Sequence, residues 1–370
     1  MSIIQLPAPA RRLIVETNAS SCYFRTSVEG DGRKALIQIT ERCNLHCAHC
    51  FVSSTAEGSD MPLADIINLV LPRLLRARVS RVTLTGGEPF VHPHFMEICQ
   101  AIVDSGMSLG ICTNATQTFP EQIAQLKAMG GVHVNISFDG FRAESHGKFR
   151  GNQSSFAVTK ATAKLFAEAG LLQGLLSTPN ILTRVDEFKE LCQFALELGA
   201  DYVLMNPLSL MGRGVKSQEA LAAPNDMMNA IREATAGFND KGLDTVHIRF
   251  PNPDKPLGGC DAGKLIYVFT DGQTAVCPYL VFAARTPQSK HPDTDFLAGN
   301  ILQNEVAGLL DTYEMSKLKM GTNDTCSPCS LNASCGKGCP AAVVANGGRI
   351  GELDAEQCPQ PFLQIGPRPI

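Results

Sequence analysis

From residue 35 to about 215 the chain alternates short apolar runs with amphipathic stretches, and this alternation constrains the fold more than any other feature. Strands are expected at 35–40, 81–85, 108–113, 133–138, 171–177 and 202–206. Helices are expected at about 62–78, 94–106, 120–129, 154–169 and 186–198, the last capped by Asp186 with Glu190 one turn further in. Strand–helix–strand repetition implies a parallel sheet with right-handed crossovers. Six such units suit a partial (β/α)6 barrel or an open doubly wound sheet, and the pattern alone does not choose between them.

The strand ends carry polar or glycine-rich residues. The second ends in Thr85-Gly86-Gly87-Glu88-Pro89, the third in Thr113-Asn114-Ala115-Thr116 and the fourth in Ser137-Phe138-Asp139-Gly140. The sixth ends in Asn206-Pro207-Leu208-Ser209, followed by Met211-Gly212-Arg213-Gly214. The first runs into Cys43, Cys47 and Cys50, spaced C-x3-C-x2-C. In a parallel α/β fold all these ends share one face, where such folds place their chemistry. Three thiolates in one short loop can hold three corners of a metal centre and leave the fourth open, as a catalytic centre requires.

Residues 1–34 form an N-terminal extension too short for a domain of its own. After the alternating core, 215–258 reads as a connector with a helix near 224–238 and a strand at 246–250. Pro251, Pro253 and Pro256 then punctuate the chain, which divides as 1–34, a core at 35–250 and a cysteine-rich part at 251–370. Within the last part, Asp271-Gly272 between two apolar runs marks a hairpin that returns Cys277 towards Cys260. The tail from Thr325 onward is rich in Cys, Gly and Pro and suits folding around metal.

A net charge of −4 argues against a binder of nucleic acid driven by a basic surface. No run of 18 or more apolar residues suggests a membrane span, and the opening Met1-Ser2-Ile3-Ile4-Gln5-Leu6-Pro7 lacks the marks of a signal peptide. The expectation is a cytoplasmic protein, in which disulfides are disfavoured. Ten of the fourteen cysteines fall into sets: Cys43, Cys47, Cys50; Cys260, Cys277; Cys326, Cys329, Cys335, Cys339; and Cys358. Metal binding accounts for these, whereas Cys22, Cys99, Cys112 and Cys192 stand alone and read as small buried apolar residues. A zinc knuckle at the first set needs a fourth ligand. His46 and His49 are near, but His49 directly precedes Cys50, and adjacent residues rarely reach one tetrahedral ion.

A C-x3-C-x2-C loop after the first strand of an α/β fold resembles the signature of the radical S-adenosylmethionine (SAM) enzymes. Thr85-Gly86-Gly87-Glu88-Pro89 is similar to that family's Gly-Gly-Glu motif, where glycines allow close backbone approach and the carboxylate meets the amino group of SAM. The resemblance implies a partial (β/α)6 TIM-like barrel. It implies SAM contacts at Gly86, Gly87, Glu88, Asn114, Ser137 and Asp139, from Arg184 to the carboxylate, and from the backbone around Leu208 and Ser209 to adenine; loop capping is the plain alternative for Asn114, Ser137 and Asp139.

The order Cys260, Cys277, Cys326, Cys329, Cys335, Cys339, Cys358 resembles the SPASM extension of these enzymes, which holds two auxiliary [4Fe–4S] clusters. By that resemblance, Cys260, Cys277 and Cys339 hold the first and Cys326, Cys329, Cys335 and Cys358 the second. Two zinc ribbons would need eight thiolates, and seven are present. Some relatives have an eighth cysteine before the equivalent of Cys260, which is missing here. The first auxiliary cluster would then have an open iron or a ligand such as Asp254, Asp261 or His247. The stretch from Asp139 to Gly151 resembles a loop of SPASM enzymes that modify peptides, with His146 and Arg150 as substrate contacts or as solvated charges of a helix entry.

The implied reaction is reductive cleavage of SAM to a 5′-deoxyadenosyl radical, which takes hydrogen from an unactivated carbon. The cofactor supplies the hard chemistry, and the protein orients the substrate and excludes water. Three clusters and SAM would be the cofactors, with flavodoxin or ferredoxin as reductant. The first reading of the substrate is a ribosomally made peptide that acquires a crosslink or an oxidised side chain. A separate leader-binding protein would then assist, since 1–34 is too short for a winged-helix grip. A second reading keeps the chemistry and takes a sugar, amino acid or tetrapyrrole. A third, a non-catalytic electron carrier, leaves the open corner and the Gly-Gly-Glu loop unexplained.

Overall fold

The computed structural model describes residues 32–252, 255–260, 262–313 and 323–359. Most of the extension expected at 1–34 lies outside these, as do Asp254 and Asp261, the two carboxylates considered as cluster ligands.

The alternating core forms β1 (Arg33–Thr40), β2 (Val79–Gly86), β3 (Ser108–Thr113), β4 (Val132–Ser137), β5 (Leu172–Ser177), β6 (Tyr202–Met205) and β7 (Asp244–His247). The first crossover holds α1 (Leu63–Asp65), a π turn (Ile66–Val70) and α2 (Leu71–Arg76). The others hold α3 (Phe95–Asp104), α4 (Pro120–Met129), α5 (Ala143–Arg150), α6 (Ser155–Glu168), α7 (Val185–Glu197), α8 (Gly214–Leu221) and α9 (Asn225–Thr235). The helix expected over 62–78 is thus interrupted. Pro72 lacks the N–H for an α-helical bond and its ring crowds the preceding turn, while Leu71 N–H reaches back five residues to Ile66. The cap of α7 also differs from expectation: Glu187, not Asp186, reaches back, accepting from the Arg184 N–H at 3.0 Å.

Strand order decides between the two architectures. The ten-stranded sheet runs β10-β9-β8-β1-β2-β3-β4-β5-β6-β7, with β1 to β7 parallel in unbroken sequence order. A doubly wound sheet needs a point where the order reverses. Without one, right-handed crossovers all place their helices on the same side, as in a barrel. On that side Ala35, Ile37 and Ile39 join a core with Met61, Ile66 and Leu74. Of the alternate residues, Lys34, Gln38 and Thr40 are polar yet also buried. Gln38 is 2% exposed and accepts from the Tyr267 hydroxyl at 3.0 Å, and Arg81 on β2 donates across to Gln173 on β5 at 3.4 Å.

The cysteine-rich part is joined to this sheet. β8 (Leu265–Val268) pairs parallel with β1, and β9 (Gln273–Ala275) and β10 (Leu297–Asn300) follow antiparallel. The expected Asp-Gly hairpin forms, with Gly272 at φ +82° where a side chain would be strained. The division at 250/251 therefore falls between β7 and β8 of one continuous sheet. Around the hairpin pack α10 (Pro278–Ala284), α11 (Val306–Thr312) and α12 (Pro340–Ala345). Among the described residues no helix is long and apolar enough to cross a membrane.

Candidate active site

The cysteine loop leaves β1 and is gripped at once by the end of β2. Gly87 N–H donates to Thr40 O at 3.0 Å and Glu88 N–H to Arg42 O at 2.9 Å. A Cβ on Gly86 would lie 2.3 Å from Thr40 O, and one on Gly87 2.1 Å from Arg42 O and 3.0 Å from the Cys43 Cβ. The paired glycines are thus required by the backbone approach itself. Cys43 N–H donates to Thr55 O at 2.6 Å. Beyond it, His46 and Ala48 N–H donate to the carbonyls of Arg150 and Phe149 at the end of α5.

Arg213 clamps the other side of the loop. Its Nε donates to Cys47 O at 2.8 Å, its Nη1 to Ser54 O at 2.7 Å and its N–H to Cys50 O at 3.0 Å. Ser217 Oγ donates to Ala48 O at 2.9 Å. Sequence reasoning missed both residues; the one available signal was the pair of glycines flanking Arg213. Gly212, at φ +53°, allows the approach, since a Cβ there would lie 2.5 Å from Cys50 O.

Beneath the loop is a buried polar layer from the stretch 139–150, which forms helix α5 rather than a solvated entry. Asp139, 1% exposed, pairs with the Arg150 guanidinium at 2.8 Å and accepts from Thr178 N–H at 2.8 Å. His49 stacks on Phe149 with ring centroids 4.8 Å apart and points Nε2 at Asp139, 3.7 Å away. Burial works to raise the Asp139 pKa, but the Arg150 cation overrides it and holds the carboxyl below its ordinary value. His146 is wholly buried among Phe138 and Phe156, and neither ring nitrogen has a partner among the described residues. His146 and Arg150 are therefore parts of the support under the loop in this conformation, not exposed contacts.

The cysteines suit an iron–sulfur cluster by donor set and by setting. Burial pushes Cys43 up to about 12 and Cys47 to about 11, so both thiols carry protons until a cation replaces them. Leu45 N–H lies 3.4 Å and Asn114 Nδ2 3.9 Å from the Cys43 sulfur.

The residues expected to meet SAM divide into two groups. Gly86, Gly87, Glu88, Asn114 and Asp139 are gathered at the loop. Glu88, 1% exposed, already accepts from Thr113 Oγ1 at 2.6 Å and from Asn114 N–H at 2.7 Å, so its carboxylate ties β2 to β3. Burial raises it to about 6 despite these donors. Leu208 lies in the loop after β6 and Ser137 ends β4, half-buried. Arg184 is not gathered in: its side chain is 79% exposed and turned to Asp186 of its own helix at 3.1 Å.

The later cysteines also assemble in part. Cys277 precedes α10, and after burial Cys260 and Cys339 are what raise its thiol pKa. Gly336 brings the stretch before Cys339 against the one before Cys260, since a Cβ there would lie 2.2 Å from Gly259 N. Asp354 accepts from Cys339 N–H at 3.0 Å while pairing with Arg249 at 2.7 Å. His247, considered as an extra ligand, is hydrogen-bonded to Thr235 at 2.9 Å and stacks edge-on with Phe250. Cys326 and Cys329 share one turn, with Cys329 N–H donating to Cys326 O at 3.2 Å, and Cys358 N–H donates to Asp354 O at 2.9 Å.

Comparison with known proteins agrees with this geometry. Residues 37–195 match the Radical SAM superfamily. The chain is 27% identical over 326 residues to mycofactocin maturase MftC of Mycolicibacterium smegmatis, covering 84% of this chain and 78% of that one. It is 31% identical over 320 residues to the antilisterial bacteriocin subtilosin biosynthesis protein AlbA of Bacillus subtilis, covering 85% of this chain and 66% of that one. The fold superimposes on Streptococcus suis SuiB bound to its precursor peptide SuiA with a TM-score of 0.70 and 16% identity, over 88% of this chain and 75% of SuiB. The fold and these similarities agree: the chain belongs to the radical SAM superfamily, whose enzymes use SAM and a [4Fe–4S] cluster.

Proposed function

We propose that this enzyme modifies a ribosomally made peptide, forming a crosslink or an oxidised side chain. The observation that carries the reading is the extent of similarity to MftC and AlbA. It spans 84% and 85% of the chain, well beyond residues 37–195, and both names denote maturation or biosynthesis of such products. Cys43, Cys47 and Cys50 would hold the cluster that binds SAM, together supplying one-electron cleavage of SAM and removal of a hydrogen atom from carbon.

Gly86 and Gly87 keep the backbone close enough for SAM to lie against the loop, with Asn114, Ser137, Asp139 and the backbone at Leu208 around it. Arg213 and the Asp139–Arg150 pair hold the loop in place. Cys260, Cys277 and Cys339 would hold one auxiliary cluster, a reading supported by the close approach of Gly336 to Gly259. Cys326, Cys329, Cys335 and Cys358 would hold the other. A flavodoxin or ferredoxin would supply the electron, and a separate leader-binding protein would present the peptide.

Anaerobic reconstitution tests the proposal. Three four-iron clusters predict about twelve irons per chain; a value near four would remove the auxiliary clusters. With SAM, reductant and a peptide encoded beside the gene, 5′-deoxyadenosine and a mass change in the peptide should appear together. Formation of 5′-deoxyadenosine without any peptide change would leave the SAM chemistry standing and refute the substrate.

A further inference from the structure

Between the loop after β6, helices α8 and α9, and the segment that follows Cys339 lies a cavity of about 1130 Å³. We propose that it seats an extended stretch of the substrate peptide and reads its main chain through side-chain amides. The inference rests on the peptide reading above and adds where, and by what chemistry, the peptide is held.

Size is the first argument. Sites for drug-sized molecules span roughly 300–1,000 Å³, and this cavity exceeds that. Position is the second: its lining includes Leu208 and Met211, close in the chain to the Arg213 clamp on the cysteine loop, and also Cys339. A peptide lying here would pass between the two cysteine sets.

The lining chemistry is the third argument. Four of the five charged lining residues, all but Glu352, are spent on one another or on backbone. Arg249 pairs with Asp354 at 2.7 Å and Glu356 at 2.5 Å, and Arg232 donates to Pro251 O at 2.8 Å. Amides remain. Gln218 on α8 lines the cavity with its Oε1 buried and without a hydrogen-bond partner among the described residues. Asn225 and Asn229 on α9 line the same wall with exposed side chains. An amide offers both donor and acceptor, the complement of a peptide unit. Four residues of helix rise about 6 Å, close to the roughly 6.6 Å that two residues of extended chain cover. Asn225 and Asn229 are therefore spaced to meet alternate peptide units of a strand running along α9. Such a wall tolerates many side chains in the flanking sequence and leaves selection to the reacting residue.

The test is binding to the full-length, cluster-loaded enzyme without reductant, so that no turnover is needed. The probes are a fluorescein-labelled dodecapeptide of Ala, Ser and Gly, and its counterpart with N-methyl groups along the backbone. The parent should bind at least about tenfold more tightly than the methylated peptide, a difference of about 1.4 kcal/mol. The double variant Asn225→Leu/Asn229→Leu should lose that preference, and Asn229→Gln should keep most of it. Equal binding of the two peptides, no binding of the parent at about 1 mM, or an unchanged preference in a folded double variant would each overturn the proposal. The two-peptide comparison on the unaltered enzyme stands even if the variants fail to fold. Assaying 5′-deoxyadenosine on the same preparation separates this result from the SAM reading.

Discussion

His146 gives the sharpest test of the buried layer under the cysteine loop. Its imidazole is 0% exposed, packed against Phe138 and Phe156, with both nitrogens unpartnered among the described residues. Burial, then the Arg150 cation, push its pKa down to about 3, against a smaller opposing pull from Asp139; His49 pushes the same way as Arg150. The folded-state value is depressed, so the neutral ring contributes stability that is present above the unfolded value near 6.5 and is lost as pH falls. Between pH 7 and pH 5 the unfolded chain gains a proton at this site and the folded chain does not. The loss is about 2 kcal/mol, a sizeable part of the roughly 5–15 kcal/mol that a domain possesses. In His146→Leu the titrating group and the two unpaired nitrogens are both gone. Urea unfolding of the reduced apoprotein at pH 7 and pH 5 measures the difference. The variant should lose about 2 kcal/mol less than the wild type over this interval. Parallel losses in the two proteins would refute the reasoning, because the ring would then have to be protonated or solvated in the fold.

Other residues give independent outcomes. Gly87→Ala places a Cβ 2.1 Å from Arg42 O, so iron incorporation into the first site should fall sharply while far-UV circular dichroism stays close to wild type. Arg213→Met removes the two bonds from its side chain to the Cys47 and Ser54 carbonyls; at about 1.5–3 kcal/mol for each bond to a charged group, thermal unfolding should show a loss of several kcal/mol and faster cluster loss. Replacing Cys43, Cys47 and Cys50 by Ala should abolish 5′-deoxyadenosine formation, measured by chromatography. Cys277→Ala should lower the iron count and product formation while sparing SAM cleavage; normal product would deny that site a catalytic role.

The local elements were legible in the sequence because their causes are local. Alternation of apolar runs such as 35–39 with helical stretches is enough to place β1 to β6, each within two residues of its expected bounds. Asp271-Gly272 is enough to place the hairpin. The interruption of the first helix was also written there, in Pro72, since its effect acts within one turn. Helix α5 escaped notice because its buried face is made of Ser145, His146, Phe149 and Arg150. Burial of such residues depends on partners that a hydrophobic pattern does not contain.

The candidate site shows the same limit. By itself the sequence singled out the candidate residues, because C-x3-C-x2-C, Gly-Gly-Glu and the later cysteine order are spacings along the chain. Only the tertiary structure decided what those residues touch. It placed Arg213 on a loop 166 residues away, spent the Glu88 carboxylate on β3, turned Arg184 outward and put Arg150 beneath the thiols. It also chose the singly wound sheet, through a strand order that no single segment encodes. The physical reason is that backbone preference and motif spacing act over a few residues. Pairing of buried charges and order of strands follow from crossover handedness and from which faces the whole chain brings together.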